Sequence, residues 1–283
     1  ILAVLALQPG EHAVDGTLGF GGHARELLAH LTPGGRLIGL DVDPVELPKT
    51  TLRLRAAGWG EDVFTVVRSN FAGLPRVLGE LGLDGVDAVL ADLGVSSMQI
   101  DDPARGFTFK TDSPLDLRMN PSRAPSAADW LARVSVATLA SALTENSDEP
   151  HAGLLARELT VRRGRVPYTR TLQLAGSIRT ILHEHQPRRD PAADDDCVRR
   201  VFQAIRIAVN DEFGVLETFL RHLPSCLKTG GRVAMLTFHS GEDRRVKHAF
   251  REGVRRGIYS ATNDEVIRAG PEERRANPRS SSA

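Results

Sequence analysis

Cysteine, tyrosine and tryptophan are scarce, with two of each in 283 residues. Cys197 and Cys226 form no C-x-x-C and no zinc spacing, so neither a disulfide framework nor a metal site is expected. The pair fits a reducing compartment, which makes the expected location cytoplasmic, or organellar if the chain is eukaryotic. No apolar run reaches the ~18 residues that a membrane span needs. No signal peptide is visible, and no membrane partner is expected. Neither sign of charge dominates: 36 Lys and Arg face 36 Asp and Glu, for a formal net charge of zero. A nucleic-acid partner would have to be met by local basic patches rather than by the field of the whole chain. What is present is ordinary for a globular protein, 41% hydrophobic and 25% charged, enough for a sizeable core in one large domain or two. The chain starts at Ile1 inside an apolar run, and a further segment ahead of it is expected.

Residues 87–120, DAVLADLGVSSMQIDDPARGFTFKTDSPLDLRMN, organise the rest. Ala88–Ala91 read as a buried strand that ends on a carboxylate, Asp92. Small, polar and acidic residues follow, among them Ser96, Ser97 and Gln99. A parallel strand carries its chemistry at its C-terminal end, so this is where a planar polar group would be held. The alternative is a long structural loop.

Three earlier strands alternate with helices. His12–Asp15 is a short strand, followed by DGTLGFGGHAREL with glycines at 16, 19, 21 and 22. A helix from about Gly22 to Leu31 would offer free N–H groups to an anionic ligand, and the glycines would let it approach the backbone; tight packing alone is the alternative. Arg36–Asp43 is the second strand. A carboxylate at its end, ~20 residues past the glycine loop, is placed for the hydroxyls of a ribose. Asp41 takes that role, whereas Asp43 before Pro44 reads as the cap of a helix over Val45–Ala57. Phe64–Arg68 is strand three, and Phe71 beyond it either stacks on a base or belongs to the core. With Asp87–Leu93 as strand four, the pattern is α/β with a parallel, doubly wound sheet.

Helical periodicity takes over in Ser126–Val134, Val136–Glu145, Ala152–Val161 and Thr171–Leu182, with Thr171 as an N-cap. This reads as a helical domain inserted over 121–196, between core segments 1–120 and 197–283. Arg162, Arg163, Arg165 and Arg170 are either phosphate contacts or a solvated helix face. Gln186–Asp196 reads as a polar connector. Cys197–Leu223 is the longest helical pattern, and Asn210 and Asp211 in its interior have poor helix propensity, which hints at a task beyond folding. Lys228–Gly231 turns into a strand over Arg232–Phe238, ending at His239. Glu242–Arg256 is a basic helix, and the tail around Asn277–Ser280 is basic and expected to be flexible.

Several stretches, in order, resemble one family: DGTLGFGGH, LDVDP, ADLGVSSMQIDDPARGFTF, SPLDLRMN, FQAIRIAVNDE, TGGRVAMLTFHSGEDRRVK and NPRSSSA. They are similar to the MraW/RsmH-type ribosomal RNA (cytosine-N4)-methyltransferases, over nearly the whole chain. The resemblance implies a Rossmann-like, S-adenosylmethionine-dependent methyltransferase core with an inserted small helical domain. It implies S-adenosyl-L-methionine as cofactor and no metal. The substrate would be a cytidine of small-subunit ribosomal RNA at the decoding centre, free or in the assembled small ribosomal subunit. A homodimer stays open. By motif, the cofactor site would comprise Gly21, Gly22, His23, Asp41, Phe71, Asp92 and Gln99. The catalytic candidates are Asp92 and Ser96, which would hold the amine, with Asn210 and His239 holding the cytidine or serving only structure. The chain departs from the family pattern at DDDCVRR (194–200) and at Gly241, where a leucine is common. Two rival readings fit the same residues. The G-x-G-x-x-A spacing of Gly19, Gly21 and Ala24 suits an NAD-dependent oxidoreductase, although no positioned Tyr-Lys or His-Asp pair accompanies it. A non-catalytic RNA-binding assembly factor could keep the same fold.

Overall fold

Parallel strands covered on both faces are apolar almost throughout, and the interiors of His12–Asp15, Arg36–Asp41 and Val86–Asp92 follow that rule. A computed structural model describes residues 1–123, 125–185, 190–263, 266–268 and 270–276. In chain order the elements are α1 (Leu2–Leu5), β1 (His12–Asp15), α2 (Gly22–Leu31), β2 (Arg36–Asp41), α3 (Glu46–Ala56), β3 (Phe64–Arg68), α4 (Leu74–Glu80) and β4 (Val86–Asp92). Then come α5 (Ser97–Asp101), α6 (Ala127–Arg133), α7 (Val136–Ser147), α8 (Ala152–Arg163), α9 (Thr171–His185) and α10 (Pro191–Asn210). The chain closes with α11 (Glu212–His222), β5 (Leu227–Leu236), α12 (Ser240–Arg255) and α13 (Pro271–Ala276). No described helix is long and apolar enough to cross a membrane.

The chain divides into two compact units. One joins Ile1–Gly94 to the chain from Phe213 onward, and the other is Val95–Glu212. The first holds a five-stranded sheet of order β3-β2-β1-β4-β5, all parallel. Side chains alternate across it with the period of two that a strand imposes. Ala13, Leu37, Ala88 and Leu90 pack with Leu27, Leu28 and Leu31 of α2 and Leu54 of α3. Val14, Ile38, Val89 and Ala91 pack on the other face with Leu74 and Val77 of α4, Leu216 and Phe219 of α11, and Val246 of α12. The strand order reverses between β1 and β4, and the crevice outside the carboxyl ends at such a reversal is where α/β sheets hold ligands.

The helical unit has its own core, built from Leu139, Leu143, Leu155, Leu159, Leu174, Ile178, Val201 and Ile205, among others. It reaches beyond residues 121–196 on both sides. Leu115 and Leu117 join its core, and so do Cys197, Val198, Val201 and Phe202 of α10. That helix starts at Pro191 rather than at Cys197, within what reads in sequence as a connector; of that connector, residues 186–189 lie outside the described residues.

Other boundaries shift for physical reasons. The pattern over Cys197–Leu223 is two helices. Asp211 breaks it with a φ of 51°, a left-handed conformation that Asp and Asn tolerate better than most residues. Asn210 and Asp211 therefore sit at a helix junction, which accounts for their poor helix propensity. Thr171 is not a cap but the first residue of α9, and its hydroxyl accepts from Ser113 N–H (3.0 Å) and donates to Thr111 C=O (2.9 Å). Residues 228–231 form a bulge within β5, since Val86 pairs with Leu227 and Ala88 with Arg232. Lys228 Nζ closes the bulge on Asp87 at 2.8 Å. The basic tail from Asn277 lies outside the described residues.

Candidate active site

Three strands of the sheet end on aspartates: Asp15 on β1, Asp41 on β2 and Asp92 on β4. The glycine loop between β1 and α2 is stitched to those ends. Asp15 Oδ1 accepts from Thr17 N–H (3.1 Å), and Thr17 Oγ1 accepts from Asp92 N–H (2.7 Å). Gly16 N–H donates to Leu90 C=O and Leu18 N–H to Leu40 C=O, both at 2.8 Å. Gly19 N–H donates to Asp41 Oδ2 (2.8 Å), while Asp41 Oδ1 takes Asp43 N–H (2.9 Å). Asp43 then closes the turn before α3, with Oδ1 accepting from Val45 N–H (2.9 Å) and Glu46 N–H (3.3 Å).

The loop glycines divide in purpose. Gly21 has a φ of +83°, and a Cβ there would lie 2.9 Å from Thr50 Cγ2 and 3.1 Å from Leu54 Cδ1. Packing against α3 requires it. A Cβ added at Gly22 would meet nothing within 4 Å, so a ligand can approach the first turn of α2, where free amides favour anionic groups. His23 follows, and its Nε2 stands 3.5 Å from Asp92 Oδ2.

The electrostatics of this edge are uneven. Asp15 is 1% exposed. Burial pushes its carboxyl from its ordinary 3.8 up to about 7; Thr17 N–H and His23 pull the other way, and Asp92 and Asp41 add to the rise. Burial also raises Asp41, against the amides of Asp43 and Gly19. His23 is raised chiefly by its contact with Asp92, against the effect of burial. Asp15 Oδ2 and Asp92 Oδ1 are buried and have no hydrogen-bond partner among the described residues. Buried polar atoms are almost always paired, so two orphaned carboxylate oxygens at one sheet edge mark a place for a cationic or hydrogen-donating ligand.

The remaining candidates fall in different places. Phe71 lies against the start of the loop, 3.2 Å from where a Gly16 Cβ would be, and its ring meets Phe219 edge-on at 5.1 Å. It is half-buried, part core and part open. His239 caps α12, with Nδ1 accepting from Glu242 N–H at 3.4 Å and Nε2 3.2 Å from Glu242 Oε1. It follows the end of β5, where Leu236 pairs with Asp92. The glycine at 241 has a local cause: a Cβ there would stand 2.5 Å from Phe213 Cζ.

Ser96, Gln99 and Asn210 belong to the helical unit, and each has a structural task there. Ser96 and Gln99 form a capping box on α5, with Gln99 N–H donating to Ser96 Oγ (3.3 Å) and Ser96 N–H to Gln99 Oε1 (3.0 Å). The Asn210 amide accepts from Met119 N–H (2.7 Å) and donates to Leu117 C=O (2.7 Å) and Arg206 C=O (2.9 Å). The arginines of α8 and the loop after it are partly engaged as well. Arg162 pairs with Glu158 and Glu184, Arg163 donates to Leu131 C=O, and Arg170 holds Asp112 at 2.7 Å.

Sequence reading passed over Asp15, Thr17 and Glu242. Asp15 carried the same signal as Asp41 and Asp92, an acid closing an apolar strand. Glu242 is 3% exposed and also accepts from Phe238 N–H at 2.9 Å.

An open parallel sheet of this order, with a glycine loop after β1 and carboxylates closing β1, β2 and β4, defines a Rossmann-like core of the cofactor-binding kind. Within that class the chain belongs to the MraW methylase family, whose model matches residues 1–283. It is 48% identical to ribosomal RNA small subunit methyltransferase H 1 of Lachnoclostridium phytofermentans, over 100% of this chain and 77% of that one. It is 46% identical to the protein of the same name from Agathobacter rectalis (100% and 80%). Ribosomal RNA small subunit methyltransferase H 2 of Alkaliphilus metalliredigens is 44% identical (100% and 81%). Membership of a methylase family sets the dehydrogenase reading aside.

The methyl donor of this methylase is S-adenosyl-L-methionine. The residues present fit it. The donor brings positive charge and N–H and O–H groups, and the sheet edge offers orphaned Asp15 Oδ2 and Asp92 Oδ1 together with Asp41.

Proposed function

We propose that this protein methylates the exocyclic N4 amine of a cytidine in small-subunit ribosomal RNA near the decoding centre. The names of its relatives and its family support ribosomal RNA as the substrate. The observation that carries the chemistry is Asp92 Oδ1, a buried acceptor at the end of β4 with no protein partner among the described residues.

Bound S-adenosyl-L-methionine supplies a methyl group on a positively charged sulfur. The chain supplies placement. Asp41 would receive the ribose hydroxyls, since each of its oxygens has accepted one backbone N–H and keeps a second lone pair. Gly21 and Gly22 shape the approach to α2, and the open side of Phe71 would flank the base of the cofactor.

The N4 amine of cytosine is a poor nucleophile, because its lone pair is delocalised into the ring. Acceptors for its hydrogens localise that pair and aim it. Asp92 Oδ1 is that acceptor, while His23 holds Oδ2 and so fixes the carboxylate's orientation. As the nitrogen gains the methyl group its proton becomes acidic, and Asp92 or a water takes it. Most of the acceleration then comes from in-line positioning. The target cytidine must leave any stack to arrive there. His239, held by Glu242 at the neighbouring strand end, lines the approach. Ser96 and Gln99 act through their capping box, which shapes the segment after Asp92.

The test is transfer from labelled S-adenosyl-L-methionine to small-subunit RNA and to subunits lacking the modification, with nucleoside analysis of the product. Label in N4-methylcytidine is expected. Label in a different nucleoside would overturn the N4 assignment, and no transfer to either RNA form with cofactor bound would overturn the enzymatic one.

A further inference from the structure

The chain carries no net charge, yet its proposed substrate is a polyanion. Binding RNA then depends on a local concentration of cations, and α12 holds one. Arg244, Lys247, His248, Arg251 and Arg255 recur at helical spacing. At 100° per residue they fall within an arc of about 100°. The opposite side of α12 is buried, through Val246 and Gly253 with Ala249 and Phe250. Arg244, His248, Arg251 and Arg255 are exposed and Lys247 is half-exposed.

The cations of α12 are not all alike. Arg245 is committed to the fold, pairing with Glu217 of α11 at 2.8 Å and lying 3.6 Å above the Phe213 ring. In the outer stripe, Lys247 and Arg255 pair within α12 itself. Their acids lie on the two flanks of the stripe, where Asp243 holds Lys247 at 2.7 Å and Glu252 holds Arg255 at 2.8 Å. Exposed pairs of this kind contribute ~0.2–1 kcal/mol, so a phosphate can displace either carboxylate. α12 starts just beyond the end of β5, at the sheet edge that carries Asp92. From there Arg244 to Arg255 run roughly 6 to 22 Å along the helix axis.

We propose that the outer face of α12 is a phosphate-docking surface for the RNA that carries the target nucleotide. It holds the backbone in register while the base is presented at the sheet edge, a division of labour in which phosphate contacts position and the site specifies. This rests on the reading of the protein as an RNA methyltransferase.

The test uses the full chain and small-subunit RNA, with binding measured across a salt series. Lys247→Ala, Arg251→Ala and Arg255→Ala together should lower the slope of log affinity against log salt by about 2, at ~0.7 per single-strand phosphate contact. KM for the RNA should rise roughly 10- to 100-fold at physiological salt, with affinity for S-adenosyl-L-methionine unchanged. Arg76→Ala with Arg221→Ala, exposed cations on α4 and α11, should leave the slope alone. An unchanged slope in the triple variant would overturn the proposal, as would an equal change in the control pair. Loss of binding to anionic vesicles without loss of RNA binding would assign the stripe to a membrane surface and overturn it too. Failure of the unaltered protein to bind or methylate RNA would instead remove the reading beneath it.

Discussion

The candidate site residues of the sheet edge and those of the helical unit are partnered in opposite ways. In the helical unit, the Asn210 amide makes three hydrogen bonds and Ser96 and Gln99 satisfy each other. At the sheet edge, Asp15 Oδ2 and Asp92 Oδ1 are buried and unpaired among the described residues. Leaving a buried acceptor unpaired costs ~1–3 kcal/mol, a cost a fold retains where a ligand will make the bond. Among these candidates, polarity alone therefore does not separate site from scaffold; partnership does.

The contrast predicts different losses for substitutions in the two regions. The largest is at Asp92. Asp92→Asn should lower the methyl-transfer rate by ~10²–10⁴-fold in a protein whose circular dichroism is unchanged; a rate within a factor of two would remove Asp92 from the chemistry.

Asp15 comes next and is read through pH. Its carboxyl is raised to about 7 in the folded protein from an ordinary 3.8, so between those values the folded state holds the proton more tightly. Stability from this group is then full below pH ~4 and declines as pH rises to ~7, by up to about 4 kcal/mol at 1.36 kcal/mol per unit. Asp15→Asn should flatten thermal stability across that window, as followed by calorimetry. A wild-type melting temperature that climbs from pH 4 to 7, and does so equally in the variant, would contradict the assignment.

Smaller effects follow. Asp41→Ala should weaken S-adenosyl-L-methionine binding by roughly 10- to 100-fold, the equivalent of ~1.4–2.7 kcal/mol, in a direct titration; unchanged affinity would end its ribose role. Asn210→Ala strands Met119 N–H and two carbonyls, and should reduce unfolding free energy by ~1–3 kcal/mol without altering cofactor affinity. Ser96→Ala should lose only about 1 kcal/mol through its cap, visible as a small drop in denaturant midpoint.

Local pattern made much of the sheet legible. β1 and β3 appear in sequence with their observed bounds, because an apolar run between turn signals needs no distant partner to be recognised. The strand-end acids Asp41 and Asp92 were legible for the same reason. Asp15 closes an apolar strand as Asp41 and Asp92 do, but its role as the joint between β1 and β4, through Thr17, exists only in three dimensions. Ser96 and Gln99 carry the S-x-x-Q spacing of a capping box, a local signal for structure beside the site role that the family resemblance implies for them. Other features lay beyond any local window. Asn210 meets Met119 across 91 residues and Thr171 meets Ser113 across 58. The break at Asp211 interrupts a periodicity that continues on both sides, so apolar spacing alone could not reveal it.

The most direct measurement is methyl transfer per folded molecule in Asp92→Asn and Asn210→Ala, side by side under one set of conditions. If unpaired carboxylates make the site and satisfied amides make the scaffold, the first loses at least 100-fold and the second stays within a few-fold of the unaltered protein. A collapse of transfer in Asn210→Ala with Asp92→Asn still active would reverse the assignment of the two regions.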